Sequence, residues 1–267
     1  MGAFENDITI GLVGGMGPQA GLSLFNYILH KTKAKVDQDH LSTILMSFPK
    51  HIVDRTAFLN GSELINPALN IAEVIKKLEM AGAVVIGIAC NTSHAPEIYD
   101  VILKELDKVD SQVSLVHMPL EACRSIAEIH PAARRIGLLT TNGTHYSGLY
   151  ADLLKKMGYD VILPDDDLQN DVIHRMIYDT EYGLKTNVKV VTKEVRELME
   201  TAMAFFNEKG TDVIILGCTD FSIMNTPDVF KDIRVIDSSE ALANALVREA
   251  ANYSNKMSIK ETFFNIR

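Results

Sequence analysis

Short runs of valine, isoleucine and leucine alternate along the chain with longer stretches in which apolar residues recur every three or four positions. The short runs are typical of strands buried in a parallel sheet, and the longer stretches are typical of amphipathic helices. The alternation predicts βαβ units and an α/β fold. The predicted strands span residues 8–13, 43–48, 83–88, 113–117, 135–140, 159–163, 212–216 and 233–237.

The helical stretches have a clear apolar face and recognisable ends. On one helix, which should end near Gly210, the apolar stripe consists of Val191, Val195, Leu198, Ala202 and Phe205. A serine at 238 or 239 is a suitable N-cap for the last helix. The other predicted helices span residues 62–81, 119–129 and 239–252.

Residues 8–90 and 134–218 share the same order of landmarks, which predicts an internal duplication. Each segment opens with a strand that contains a glycine, and each closes on a cysteine, Cys90 or Cys218. In both segments the cysteine lies eight residues past a glycine that ends a helix. The duplication predicts two similar α/β halves that can pack face to face about a pseudo-twofold axis.

No linker rich in proline, glycine or serine separates the halves, so we place the boundary near strand 113–117 and Pro119. The strand at 233–237 and the helix at 239–252 follow the second cysteine with nothing left to pair with except the first half. After the second half, the chain is therefore expected to return to the first half. The predicted domains are residues 1–117 plus 229–267, and residues 118–228.

Composition and charge restrict the class of protein. Hydrophobic residues make up 47% of the chain and charged residues 23%, and no apolar run reaches the roughly 18 residues that a membrane span requires. A net charge of −9 disfavours nucleic acid and anionic membranes as partners. Acidic rather than basic residues precede the first apolar run, so we expect a cytoplasmic protein.

Cys90 and Cys218 each lie just past the carboxyl end of a predicted strand, where open α/β sheets place ligands. Cap-type residues follow both, so backbone N–H groups should point at the thiols and lower the pKa of each from about 8.5 towards neutrality. A lone cysteine at a strand end is usually a small buried hydrophobe. Two at equivalent places indicate instead a proton-transferring pair that meets a carbon from opposite faces. Cys123 has no counterpart and is expected to be a buried structural thiol.

Four segments resemble motifs of aspartate racemases in the aspartate/glutamate racemase superfamily. They are Gly14-Gly15-Met16-Gly17-Pro18, Asp54-Arg55-Thr56, Cys90-Asn91-Thr92-Ser93-His94 and Leu216-Gly217-Cys218-Thr219. The resemblance spans residues 10 to about 240. It implies two pseudo-symmetric, three-layer α/β domains with mostly parallel sheets, an active site in the cleft between them, and a homodimer. It also implies cofactor-independent racemisation of an acidic amino acid, aspartate or glutamate, by a thiol/thiolate pair.

The same resemblance implies roles for individual residues. Arg55 and Lys185 would bind substrate carboxylate, which suits an acidic protein that needs local cations for an acidic ligand. The remaining substrate-binding residues it implies are Met16, through its backbone, with Asn91, Thr92, Ser93, Thr141, Thr144 and Thr219. Two segments depart from the family pattern, Asp220-Phe221-Ser222 and Thr186-Asn187, and both bear on pocket shape and substrate choice.

Other interpretations carry less weight. Residues 15–20 fit a dinucleotide-binding fingerprint, but the next predicted strand does not end on the required acidic residue. Cys90 and His94 are spaced like a pair of metal ligands, but no second close pair of ligands accompanies them. No cofactor or metal is therefore expected. The alternatives left open are hydantoin racemase, maleate isomerase and a non-catalytic small-molecule binding module.

Overall fold

The computed structural model describes residues 7–188, 190–224, 230 and 233–264, with side chains as far as residue 253. All eight predicted strands are present, with ends within two residues of the predicted ones. The first half contains β1 (Thr9–Gly14), α1 (Pro18–Lys31), β2 (Thr43–Ser47), α2 (Arg55–Leu59), α3 (Ala68–Met80), β3 (Ala83–Ile88), α4 (Pro96–Asp107) and β4 (Ser114–Val116).

The second half repeats this strand-and-helix pattern. Its elements are α5 (Met118–Ile129), β5 (Arg135–Thr140), α6 (Asn142–Tyr146), α7 (Leu149–Lys156), β6 (Asp160–Ile162), α8 (Arg175–Tyr178), α9 (Lys193–Glu208), β7 (Val213–Gly217), β8 (Arg234–Asp237) and α10 (Ser238–Phe264). A π-helical segment, Leu168–His174, runs directly into α8. Short 3-10 helices span Asp37–Asp39, Pro49–His51, Thr92–His94 and Thr219–Met224.

Helix α3 is shorter than the predicted 62–81. It begins only at Ala68, directly after Pro67, whose φ of −61° and ψ of −19° already fit a helix. Proline lacks a backbone N–H, so it suits the first turn of a helix and not its interior. The two large apolar residues before it, Leu64 and Ile65, are exposed instead of joining the buried stripe.

The two halves have the same sheet topology, which confirms the fold class and agrees with the predicted duplication. Each contains one four-stranded parallel sheet, in the orders β2-β1-β3-β4 and β6-β5-β7-β8. Helices cover both faces of each sheet, so each half has three layers. Cys90 follows β3 and Cys218 follows β7, which occupy equivalent central positions.

The strand at 233–237 does not join the first half as expected. It forms β8, which pairs in parallel with β7, with Ile214 opposite Val235 and Leu216 opposite Asp237. Unpaired backbone groups on the buried edge of β7 would be costly, and β8 is the nearest segment that can satisfy them. In the duplicated order β8 is the equivalent of β4.

The halves exchange one helix each. After β4 the chain enters the second half, where Ala122, Cys123 and Ile126 of α5 pack in one cluster with strands β5 and β7. After β8 it returns to the first half, where α10 packs in one cluster with α1, β1 and β3. The buried Glu121 on α5 forms an ion pair with Arg248 on α10 at 2.9 Å. Within the residues described, no helix is both long and apolar enough to cross a membrane.

Helix α10 packs against β3 at a glycine. A Cβ placed on Gly87 would lie 2.8 Å from Leu246 Cδ1, closer than two side chains can approach. Leu246 itself is fully buried. The absence of a side chain at residue 87 therefore lets the returning helix lie directly on the first sheet.

We expect Leu246→Ala to lower the free energy of unfolding by about 2–5 kcal/mol, because it leaves a cavity between α10 and β3. Urea denaturation followed by circular dichroism measures this change. Leu103→Ala, on the exposed side of α4 and itself 43% exposed, is the matched control and should have a much smaller effect. Gly87→Ala should lower the free energy of unfolding less in the Leu246→Ala background than in the natural protein. If the effects of the two substitutions simply add, the contact between residues 87 and 246 is contradicted.

Candidate active site

Cys90 lies in a turn held by His94. The thiol is 5% exposed, and the residue follows β3 and precedes the 3-10 helix Thr92–His94. His94 Nε2 accepts a hydrogen bond from Met118 N at 3.3 Å, so its Nδ1 carries the proton and donates to Cys90 O at 2.9 Å. Burial, reinforced by nearby His117, lowers the pKa of His94 to about 3. The neutral imidazole thus fixes the backbone of the first cysteine.

Cys218 occupies the equivalent place after β7 and has a different environment. Its thiol is 6% exposed and donates to Asp220 Oδ2 at 3.6 Å. Burial raises the pKa of Cys218 well above its ordinary value; the negative charges of Asp220 and Cys90 act in the same direction, and Lys185 opposes them. The lowered pKa expected for this thiol is therefore wrong, because loss of water outweighs the backbone N–H groups of the turn.

The two cysteines belong to different halves, and Cys90 is close enough to be among the groups that raise the pKa of Cys218. Both are free thiols, as is Cys123. Cys123 is fully buried in the core of the second half, and burial raises its pKa to about 12. These surroundings suit the structural role expected for Cys123.

Arg55 lies beside Cys90 at the start of α2. Asp54 caps this helix by accepting from Ala57 N at 2.8 Å, which places Arg55 in its first turn. The guanidinium is buried and donates to Met16 O at 3.0 Å and Val53 O at 3.2 Å. Its Nε has no hydrogen-bond partner among the described residues. Burial acts to lower the pKa of Arg55, but the negative charges of Cys90 and Asp54 raise it.

Lys185 is engaged by a carboxylate of the protein itself. Its Nζ lies 2.9 Å from Asp220 Oδ2 and 5.2 Å from the centre of the Tyr178 ring. Burial acts to lower the pKa of Lys185, but the charges of Asp220 and Cys218 outweigh it, and the pKa is raised. The family resemblance implies that Lys185 binds substrate carboxylate. In the structure the same carboxylate oxygen of Asp220 contacts both Lys185 and Cys218.

Tyr178 on α8 connects the two halves beside Lys185. Its hydroxyl donates to Asp54 Oδ2 at 2.9 Å, and Thr56 Oγ1 lies 3.3 Å away. His174 stacks on its ring with the centroids 4.4 Å apart. Burial raises the pKa of Tyr178, so the hydroxyl stays protonated and keeps donating. Tyr178 and Asp220 are not predicted as site residues from the sequence. Of the two, Asp220 carries a signal there, because it departs from the family pattern.

Three threonine hydroxyls form a buried cluster between the halves. Thr92 from the first half lies 3.0 Å from Thr141 and 2.9 Å from Thr144, and these two lie 3.2 Å apart. Thr141 also caps α6 by accepting from Thr144 N. A hydroxyl can both donate and accept, so this cluster can turn towards a bound anion. The structure thus brings together three of the expected substrate-binding residues.

The other expected residues have different surroundings. The Asn91 amide accepts a hydrogen bond from Tyr150 Oη at 2.5 Å and donates one to Ser238 Oγ at 2.9 Å. Asn91 therefore links the first half to α7 and to the start of α10. Ser93 Oγ, fully buried, contacts Met16 Sδ at 3.4 Å. The backbone carbonyl of Met16 positions Arg55, as described above. Thr219 is buried beside Cys218 and lines a cavity next to Asp220.

Comparison with known proteins agrees with this fold and with the sequence motifs. The family model for Asp/Glu/hydantoin racemases matches residues 13–246. The chain belongs to this family, which confirms the resemblance noted from the motifs, and it is an amino-acid racemase.

Among curated relatives, the broad specificity amino-acid racemase RacX of Bacillus subtilis is 25% identical over 252 residues, covering 92% of this chain and 100% of that protein. A glutamate racemase of Pseudomonas aeruginosa is 30% identical over 175 residues, covering 62% of this chain and 58% of that protein. Among solved structures, Picrophilus torridus aspartate racemase is similar with a TM-score of 0.73 and 28% identity, over 91% of this chain and 94% of that one.

Asp220→Asn should accelerate alkylation of Cys218 by iodoacetamide. The substitution removes the nearest negative charge and frees Lys185, and both changes lower the thiol pKa, giving about tenfold more thiolate for each unit of decrease. Peptide mass spectrometry of samples quenched over time measures the rate at each cysteine. Cys123 in the same sample is the internal control and should be unaffected. An unchanged rate at Cys218 would show that Asp220 does not control its charge.

Proposed function

We propose that the chain racemises a free amino acid by two-base proton transfer between Cys90 and Cys218. The observation that carries the proposal is the placement of the two free thiols after equivalent central strands, with opposite charges beside them. Racemisation requires a base on one face of Cα and an acid on the other. A duplicated fold whose halves each present one cysteine supplies such a pair.

The charges beside the thiols suggest which is base and which is acid in the resting enzyme. Arg55 is a cation beside Cys90. Cys218 is held as a thiol by burial and by Asp220. In the proposed step, the Cys90 thiolate takes the α-proton and the Cys218 thiol delivers its proton to the opposite face. The two cysteines then exchange roles for the other enantiomer.

The α-carboxylate of the substrate is proposed to bind near Arg55. The buried Nε of Arg55 lacks a partner among the described residues, and the threonine cluster offers hydroxyls between the halves. Removal of the α-proton places negative charge on the carboxylate, so fixed donors here stabilise the transition state. A hydantoin has no carboxylate, which makes this arrangement less suited to hydantoin racemisation.

The substrate side chain is a separate question. We predicted an acidic amino acid because two cations, Arg55 and Lys185, were expected to face the ligand. The similarity to an aspartate racemase supports aspartate, whereas the similarity to RacX supports a wider range. Since Asp220 balances the charge of Lys185, Arg55 is the cation that we propose favours an anion among the described site residues. A cytoplasmic homodimer stays part of the proposal on the resemblance and on the composition of the chain.

Cys90→Ser and Cys218→Ser should each lower racemisation by at least about 10²-fold, because a serine hydroxyl does not ionise near neutral pH and proton transfer by a positioned group contributes about 10²–10⁴. Polarimetry with pure enantiomers measures the rate. Cys123→Ser is the matched control and should retain activity. Full activity in either of the first two variants would exclude the two-thiol mechanism.

In D₂O, without added pyridoxal phosphate, the enzyme should place deuterium at Cα of the amino acid that it inverts. The proton removed by one thiol is not the one delivered by the other, so product carries solvent isotope. Proton NMR follows the loss of the Cα signal. A binding module without chemistry would leave that signal intact, and a requirement for a cofactor would contradict the proposed mechanism.

A further inference from the structure

We propose that Tyr150 and Ser238 are positioning residues, which act through Asn91 to hold the two cysteines at one separation across the site. This inference rests on the proposed function, because two-base transfer needs both thiols in register with a single Cα. Asn91 directly follows Cys90 and is 2% exposed. Its side chain is bound by two residues of other elements, Tyr150 on α7 and Ser238 at the start of α10.

The directions of these hydrogen bonds follow from the single proton of each hydroxyl. Ser238 Oγ lies 2.7 Å from the carbonyl oxygen of Leu216, which can only accept, so the serine hydroxyl donates there. Ser238 must then accept from Asn91 Nδ2, which is 2.9 Å away. Asn91 Oδ1 in turn accepts from the Tyr150 hydroxyl at 2.5 Å. The amide keeps one N–H for the substrate contact that the family resemblance implies.

This chain of hydrogen bonds ends beside the second cysteine. Leu216 lies on β7, two residues before Cys218. The Tyr150 ring packs against the residue between them, since a Cβ placed on Gly217 would lie 3.0 Å from Tyr150 Cε2. One buried connection therefore runs from the turn that carries Cys90 in the first half to the strand that presents Cys218 in the second half.

Burial makes this connection resistant to movement. Tyr150 is 1% exposed and Ser238 is fully buried. Loss of water raises the pKa of Tyr150 well above its usual value, so its hydroxyl remains a donor. The buried polar atoms of Asn91, Tyr150 and Ser238 all have partners, and a broken bond here would leave a polar group without water. Any shift that separates the two thiols must therefore break buried hydrogen bonds.

A displaced thiol harms inversion more than it harms removal of the α-proton. Removal uses one thiol alone, whereas inversion also needs the second thiol on the opposite face of Cα. Misplacement of a reacting group by about 1 Å can cost about 10²-fold in rate. Loosening the network should therefore reduce turnover and leave substrate binding, which we assign to Arg55 and the threonine cluster, largely intact.

The test uses Tyr150→Phe and Ser238→Ala, each of which removes one hydroxyl from the network. The substrate is the L-amino acid that the natural protein racemises fastest in a panel of the genetically encoded ones. We expect kcat to fall at least about tenfold in each variant, while KM changes by less than about twofold. The double variant should lose little more activity than the worse single one, because both residues act through Asn91.

A second measurement separates positioning from a general loss of structure. At low conversion in D₂O, chiral chromatography with mass spectrometry measures deuterium in the recovered L-amino acid and in the D-product. Deuterium in the recovered L-amino acid reports removal and return of the α-proton on one face, by a thiol that has exchanged with solvent. The ratio of this exchange to inversion should rise in both variants, because exchange does not need the second thiol.

Two matched controls remove hydroxyls that do not join the cysteine turns. Ser125→Ala removes a buried hydroxyl that donates only to carbonyls within α5. Tyr146→Phe removes a hydroxyl that donates to Asp166 in the same half. Both controls should leave kcat and the ratio of exchange to inversion unchanged.

Natural kcat and an unchanged ratio in a variant that folds, as judged by circular dichroism, would overturn the positioning role. Equal losses of exchange and inversion would overturn it too. Ser238→Ala carries the test alone if Tyr150→Phe does not fold. The proposed function is judged separately, by Cys90→Ser and Cys218→Ser in the same assays. If these two keep activity, the proposed function fails. If they lose activity while the network variants keep theirs, the positioning role fails alone.

Discussion

Each of the two parallel sheets needs apolar cover on both faces, and neither half supplies all of its own. Helix α5 leaves the first half to cover the second sheet, and α10 leaves the second half to cover the first. Because buried strands cannot be left facing water, this exchange fixes the halves relative to each other. This packing brings the carboxyl ends of their central strands together. The contacts of Thr92 with Thr141 and of Tyr178 with Asp54 show this. The geometry of the site follows from that packing.

Burial between the halves also makes each charge in the site more important. In a partly dehydrated space an ion pair or a lone charge has a larger effect than it has in water. Two pairs of opposite charges lie near the thiols, Arg55 with Asp54 and Lys185 with Asp220. Arg55 lies beside Cys90, while Asp220 contacts Cys218 and forms an ion pair with Lys185. The duplicated backbone thus presents two similar thiols that differ in their nearest charged neighbour, which at Cys218 is a carboxylate in direct contact.

This asymmetry relates the proposed chemistry to the proposed choice of substrate. A carboxylate that keeps Cys218 protonated also balances the lysine that was expected to bind an acidic side chain. One residue, two positions after the second cysteine, therefore influences both the thiol that is the acid of the proposed proton transfer and the charge of Lys185.

The sequence by itself determined the local features of this protein. Strand positions, the duplication and the placement of Cys90 and Cys218 could be predicted because periodicity, turn residues and spacing are encoded over short stretches. Only the tertiary structure decided the pairing of β8 with β7, the ion pair of Lys185 with Asp220 and the contact of Tyr178 with Asp54. Each of these joins residues that are distant in the chain, and each depends on which groups lose contact with water. The raised pKa of Cys218 belongs to the same class, because burial is a property of the assembled fold and not of the residues around the thiol in sequence.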